Sequence, residues 1–185
     1  LCLNSPMEKS ANGWPASADP EEIAIIRKRV PGTDLKLRIA EPVAPLLIAF
    51  AADFHRLVEP LDEGQLDDWG YCYRKIRGTQ TVISNHASGT AIDLNATKHP
   101  LGAVNTFNKE QDKTIRRLCR KYGLKWGGDY RYRKDEMHFE IALNSAQVAT
   151  LISALGLEKT DDNRKTEEAN QDGAAGGGFV GPRST

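Results

Sequence analysis

Two of the four histidines in this 185-residue chain lie in its most pattern-rich segments. His86 sits in Ser84-Asn85-His86-Ala87-Ser88-Gly89-Thr90-Ala91-Ile92-Asp93-Leu94-Asn95, and His138 in Asp135-Glu136-Met137-His138-Phe139-Glu140. Gly89 permits a sharp turn after His86, and Ala91-Ile92-Asp93 returns as a strand, so an imidazole and a carboxylate face one point across the bend. Adding His138 from another strand gives two imidazoles and one carboxylate. That set suits zinc and leaves a fourth tetrahedral position for water, which is the arrangement of a catalytic rather than a closed structural site. A lone histidine near a turn is otherwise a hydrogen-bonded core or surface residue. The helical His-Glu-x-x-His motif is absent, so spacing alone does not decide between the two. Ser84 lacks the glycine pattern of a nucleophile elbow, which disfavours a serine mechanism.

The composite pattern is more specific. The run from Ser84 to Asn95, then Trp126-Gly127-Gly128-Asp129-Tyr130, then Asp135-x-x-His138-Phe139-Glu140, resembles the zinc D,D-carboxypeptidase and L-alanyl-D-glutamate endopeptidase family of peptidoglycan enzymes. This is peptidase family M15, which includes phage endolysins. The resemblance implies that His86, Asp93 and His138 ligate Zn2+ and that Asp135, three before the last histidine, is the catalytic base. Such a carboxylate takes a proton from the attacking water and delivers it to the departing amine. Strand periodicity instead favours Glu136, which shares a face with His138 in an ideal strand, whereas Asp135 reaches the site only from a turn. Arg74 and Arg77 are the nearest sources of a cation for the developing oxyanion, Arg74 being preferred because a similar arginine precedes the zinc motif in related endolysins. Glu140 is placed to orient an imidazole. Ser84 and Asn95 bracket the first motif as holders of ligand side chains or substrate amides. Trp126 reads first as core packing and second as a cleft wall for substrate.

These residues need a scaffold, and apolar spacing supplies one. Leu46, Phe50, Phe54 and Leu57 form a helical stripe that starts near Pro42 or Pro45 and stops before Pro60. A second stripe joins Phe107, Ile115, Leu118, Cys119 and Tyr122, with Asn105 as N-cap and Gly123 past the end. A third joins Val148, Leu151, Ile152 and Leu155, opened by Asn144 or Ser145 and closed by Gly156. Strand-like runs fall at Thr81 to Ser84, Ala91 to Asn95, Leu124 to Trp126 and Met137 to Leu143. The expectation is α+β, a small antiparallel sheet with packed helices, as in Hedgehog and D-Ala-D-Ala peptidase domains. The domain is expected over 41–157, after an N-terminal extension at 1–40 and before an acidic, Gly-rich tail or linker at 158–185, with a further domain of a longer protein beyond it. His99 is expected in an exposed loop, His55 beyond the apolar stripe of its helix, and Cys119 as a buried thiol.

Composition narrows the function. Twenty-five basic and 25 acidic side chains balance, which argues against a general nucleic-acid partner. Residues 113–134 are the exception, with nine Lys or Arg against Asp129 alone. They read as a solvated helix face and loop, or as an attraction to an anionic wall. The longest uncharged apolar stretch, Val43 to Ala52, contains Pro45 and is far too short for a membrane span. Asn4, Glu8 and Lys9 interrupt any signal-peptide run. Three cysteines without paired spacing exclude a disulfide scaffold. The sequence therefore reads as a monomeric zinc metallopeptidase that cuts the peptidoglycan stem peptide, with an L-alanyl-D-glutamate endopeptidase preferred to a D-alanyl-D-alanine carboxypeptidase. The phage setting places it in the host cytoplasm before release to the cell wall; without a phage origin it belongs to the cell envelope. A non-catalytic zinc-stabilised binding module is the alternative class, and the acid at Asp135 argues against it.

Overall fold

The computed structural model describes residues 7–61 and 63–158, so most of the 158–185 tail lies outside the described residues. The architecture is α+β, with three α-helices and small antiparallel sheets among those residues.

The first helix, α1 (Ala44–Leu57), carries Pro in its first turn and buries Leu46, Leu47, Phe50, Ala51 and Phe54 along one face. It ends where the amides of Val58 and Glu59 both fall back on the Phe54 carbonyl. The second, α2 (Lys109–Tyr122), is opened by Asn108, whose side chain accepts from Glu110 N and Gln111 N while the Gln111 side chain accepts from Asn108 N. Asn105, the expected cap, lies upstream at φ 58° and caps nothing, because the capping box with Gln111 needs Asn at 108. The third, α3 (Ser145–Ala154), has the same box built from Asn144 and Gln147.

Three short strands form the sheet that carries Asp93 and His138. β3 (Ala91–Asp93), β4 (Leu124–Trp126) and β5 (His138–Ile141) pair antiparallel in the order β3-β5-β4. Their register sets Asp93 directly opposite His138 and Ile92 opposite Phe139. Because side chains alternate across a sheet, one face presents Asp93 and His138 while the other sends Ile92 and Phe139 into the core. There Phe139 meets Phe50 at 4.8 Å and Phe54 at 5.6 Å between ring centroids, tying the strand that carries His138 to α1. Full burial of each such ring contributes about 1.5–3 kcal/mol.

A hairpin that the apolar spacing did not announce precedes α1. β1 (Ile25–Arg29) pairs with β2 (Lys36–Ala40), and Leu37 and Ile39 point into the same core as α1 and Trp14. The stretch Thr81 to Ser84, expected as a strand, makes only isolated bridges through Ile83 to Ser10 and Lys75.

Candidate metal centre and its cavity

His86 is delivered by a single 3-10 turn, Asn85–Ser88, entered at Ser84, whose Oγ accepts from His86 N, and left at Gly89 with φ 64°. A side chain at Gly89 is barred twice, by that left-handed conformation and by Ile25 and Ala40, which a Cβ would strike. The His86 Nδ1 lies 2.7 Å from the Gly70 carbonyl. A carbonyl only accepts, so Nδ1 carries the proton and Nε2 turns a bare lone pair inward.

His138 is fixed in the same manner. Its Nε2 is 3.1 Å from Glu140 Oε2, and that carboxylate also accepts from Asn85 Nδ2 (2.5 Å) and the Tyr130 hydroxyl (2.9 Å). Burial works against ionising Glu140, but the His138, Asn85 and Tyr130 contacts outweigh it and bring its pKa down to about 2. The ionised carboxylate keeps the His138 proton on Nε2, which leaves Nδ1 facing inward.

Three donors then meet. His86 Nε2 is 3.1 Å from Asp93 Oδ1 and 3.1 Å from His138 Nδ1, and His138 Nδ1 is 2.8 Å from Asp93 Oδ1. All three side chains are buried. Bonds of about 2.0–2.1 Å to a tetrahedral ion correspond to ligand–ligand edges of roughly 3.3 Å, close to these separations. Burial disfavours charge on both Asp93 and His138. The imidazoles nevertheless hold Asp93 far below its ordinary value, and the Asp93 and Glu140 carboxylates hold His138 up at about 9. With the His138 Nδ1 proton given up to an incoming cation, the two inward nitrogens and the Asp93 oxygen are a seat for that cation, and two nitrogens with one oxygen fit a divalent ion of zinc's preferences.

Asp135 stands in the turn before β5, where His138 N donates to its carbonyl (3.0 Å) and its own amide donates to Gly127 O (3.1 Å). That turn aims its side chain into a cavity of about 690 Å³ that it lines together with His86, Asp93, Arg74 and Arg77. Its Oδ1 is buried and has no hydrogen-bond partner among the described residues. Burial pushes the Asp135 carboxyl above the ordinary carboxylate range; His138, His86 and Arg74 pull it down and Asp93 adds to the rise.

Glu136 goes elsewhere. Its carboxylate accepts from Asn105 N and Thr106 N, each at 2.8 Å, and from the Thr106 hydroxyl. Trp126 is buried, donates from Nε1 to Glu136 O at 2.8 Å and does not line the cavity. Ser84 holds the His86 turn and likewise does not line it. Asn95 donates to Glu59 (2.5 Å) and Pro60 O (3.0 Å), securing the end of β3 to the loop after α1.

His99 corrects its expected exposure. It is buried, stacked on Phe107 at 3.8 Å between centroids, and bridges Glu59 Oε1 (2.8 Å) and Thr106 Oγ1 (2.7 Å), because the loop after β3 folds back under Glu59. His55 accepts from Leu61 N at 3.0 Å. Cys119 is buried, with burial raising its thiol to about 12, and Cys72 is an exposed free thiol on the cavity wall. Within the basic stretch 113–134, Arg116 pairs with Asp112 and Asp129, Lys113 with Glu110, Lys121 with Asp53 and Lys125 with Glu140.

Several cavity residues carried no sequence signal that was read as chemical. Tyr130, Trp69 and the hairpin cations Arg27, Lys36 and Arg38 all line it. The alternation Lys36-Leu37-Arg38-Ile39 was the available sign of the hairpin.

A buried cluster of two imidazoles and a carboxylate on the face of a small antiparallel sheet, with an acid beside it, defines a candidate metallopeptidase centre. Residues 77–141 match the family model described as D-alanyl-D-alanine carboxypeptidase. The match supports the M15 peptidase family and spans all three donors, Asp135 and the whole three-stranded sheet. It implies a peptidase of peptidoglycan-related substrates. No curated protein matches the chain, and no solved structure does. No helix among the described residues is long and apolar enough to cross a membrane.

Proposed function

We propose that this protein is a zinc-dependent peptidase that hydrolyses an amide of the peptidoglycan stem peptide, acting as an L-alanyl-D-glutamate endopeptidase in phage lysis. The observation that carries the reading is a cluster of three donors, two of which, His86 and Asp93, line the same cavity as Asp135, whose buried Oδ1 has no partner among the described residues. His86, Asp93 and His138 would hold the ion, which supplies Lewis acidity to the scissile carbonyl and makes water more acidic.

The remaining chemistry belongs to the chain. Asp135, its basicity raised by burial, takes the proton of the attacking water and returns it to the amine that leaves. Arg74, whose charge already acts on Asp135, lies on the same cavity and offsets negative charge gathering on the substrate carbonyl oxygen. Glu140, Gly70 and Ser84 keep the two imidazoles in the required tautomer and orientation.

The preference for an endopeptidase rests on the resemblance of the Ser-Asn-His and Trp-Gly-Gly-Asp runs to endolysin domains. Cleavage of a terminal D-alanine is the second reading, favoured by the description of the matching family model. Mass analysis of muropeptides after digestion separates the two. The endopeptidase leaves L-alanine on the sugar lactyl group and frees a peptide beginning with D-glutamate, whereas the carboxypeptidase shortens the stem by one alanine. Unchanged muropeptides with the zinc-loaded protein would defeat both.

A further inference from the structure

The chain is neutral overall, yet its cavity is faced by six cations, Arg27, Lys36, Arg38, Arg74, Arg77 and Arg133. The cavity holds three carboxylates. Asp93 belongs to the metal cluster, Asp135 is the candidate base, and Asp68 accepts from Asn95 N at 2.8 Å. Among the described residues none of the six cations has an ion-pair partner, whereas Arg29, on the same hairpin, pairs with Asp34 at 3.0 Å.

The hairpin keeps three of those cations together at an energetic cost. Arg27 and Arg38 are direct cross-strand partners, and Lys36 lies two residues from Arg38, on the same face. Like charges set opposite one another destabilise a sheet. The register cannot slip to separate them, because Leu37 and Ile39 on the other face are locked in the core. Nothing in the fold requires this concentration of charge; an anion in the cavity would.

The cationic face is also held at a fixed place relative to the metal cluster. Tyr71 N donates to the Arg38 carbonyl at 2.6 Å, and the adjacent Gly70 carbonyl is the one that fixes His86. A Cβ at Gly70 would collide with the Arg38 carbonyl, so the two segments touch backbone to backbone. The Arg38 guanidinium lies 5.1 Å over the Tyr71 ring, whose hydroxyl donates to Ser17 O at 2.8 Å. A guanidinium steadied in this way favours the planar, two-oxygen geometry of a carboxylate.

We propose that Arg27, Lys36 and Arg38 form a specificity wall, which with the cations across the cavity selects stem peptides carrying at least two free carboxylates beside the scissile amide. This inference rests on the peptidase reading above and deepens it. It makes the hairpin, which lies outside residues 77–141, the part of the chain that selects the substrate.

The test is direct binding, so that it is read whether or not the peptide is cut. The full chain carrying Asp135→Asn is titrated, by fluorescence anisotropy, with a labelled stem peptide whose side and terminal carboxylates are free, and with the same peptide fully amidated. The free acid should bind about tenfold or more tightly, with a steep salt dependence. Adding Arg27→Gln, Lys36→Gln and Arg38→Gln should remove most of that preference, weakening the free acid about tenfold or more while moving the amidated peptide less than about twofold. The substituted side chains lie away from the core face, so the melting temperature should hold or rise as the like-charge repulsion is relieved. Should the triple variant fail to fold, Arg38→Gln alone is read against the same two peptides. Equal affinity of acid and amide, an undiminished preference in the variant, or no binding of either peptide would overturn the wall. So would a glycerol-phosphate oligomer that bound as tightly through the same three residues. Absence of muropeptide cleavage by the unsubstituted zinc-loaded chain would instead count against the peptidase reading, which keeps the two failures apart.

Discussion

Replacing Asp135 with Ala should separate activity from stability in opposite directions. The carboxylate lines the cavity and its buried Oδ1 has no partner, so removing it breaks no hydrogen bond of that oxygen and relieves a desolvation cost of about 1–3 kcal/mol. For a chain of this size each kcal/mol corresponds to roughly 2–4 °C in Tm, so the variant should melt at or above the native temperature. Loss of a general base, by contrast, lowers turnover by about 10²–10⁴-fold, or roughly 3–5 kcal/mol of transition-state stabilisation. The pH dependence has a definite sign. Because folding raises the Asp135 pKa, the ionised carboxylate penalises the folded state above that raised value, and the penalty is absent below the ordinary range of an unfolded aspartate. The variant's advantage in Tm is therefore greatest near neutral pH and vanishes in acid. It also shrinks when zinc is bound, since a nearby cation offsets the burial. Release of amino groups from purified peptidoglycan, zinc content and thermal melts with and without chelator check each part. Glu136→Gln is the control. It disturbs a carboxylate that accepts three hydrogen bonds from Asn105 and Thr106, and should lower stability by about 2–3 kcal/mol while the folded fraction keeps its zinc and its turnover. Full hydrolysis by Asp135→Ala, or loss of turnover confined to the Glu136 variant, would refute the assignment of the base.

Chelation should abolish hydrolysis and added zinc restore it, and His86→Ala should lower zinc occupancy; occupancy equal to the native protein's would reject that ligand. Glu140→Gln removes the charge behind His138 and weakens an acceptor shared by Asn85 and Tyr130, so zinc affinity should fall about 10–100-fold in a competition titration. Asp53 links the two long helices, accepting from Arg56 (2.6 Å), Lys121 (3.0 Å) and Tyr122 (2.7 Å). Burial opposes the ionised form, but these contacts bring its pKa from 3.8 down to about 2. Allowing for solvent screening, Asp53→Asn should cost about 1–2 kcal/mol of unfolding free energy at any pH above about 4, and the difference should disappear as the pH falls toward 2.

Much of the fold was legible because it obeys simple periods. α1 buries the 46, 50, 54 stripe, Gly123 closes α2 at φ 69°, and Leu124–Trp126 is a strand at the expected bounds. The errors have local causes. Asn105 and Asn108 are both good caps by residue type, and only Gln111 three residues on chooses between them. The hairpin has a period-2 strand in Lys36 to Ile39, but its partner Ile25-Ile26-Arg27-Lys28-Arg29 does not alternate, and its end cations mask the apolar face. His99 looked like a loop residue beside Pro100; its burial depends on Glu59 and Thr106, which contact it from 40 residues before and seven after.

The candidate site shows where periodicity stops being a guide. Extending β5 backward by its alternation would put Glu136, not Asp135, on the His138 face. The strand begins at His138, however, and the residues before it form a turn closed by His138 N on Asp135 O and by Asp135 N on Gly127 O. Gly127 has no Cβ where one would meet that same Asp135 carbonyl, so the Trp-Gly-Gly run and the Asp-x-x-His run are two sides of one backbone contact. That contact turns Asp135 toward the cavity lined by His86 and Asp93 and sends Glu136 to the amides of Asn105 and Thr106. Which of the two adjacent acids faces the cavity is thus set by a glycine eight residues away, which is why the composite pattern carried information that no single strand or spacing held. A side chain at Gly127 should accordingly rotate Asp135 out of the cavity. Gly127→Ala is expected to lower turnover toward that of Asp135→Ala while leaving zinc bound, and near-native turnover in that variant would show that the turn does not set the acid's position.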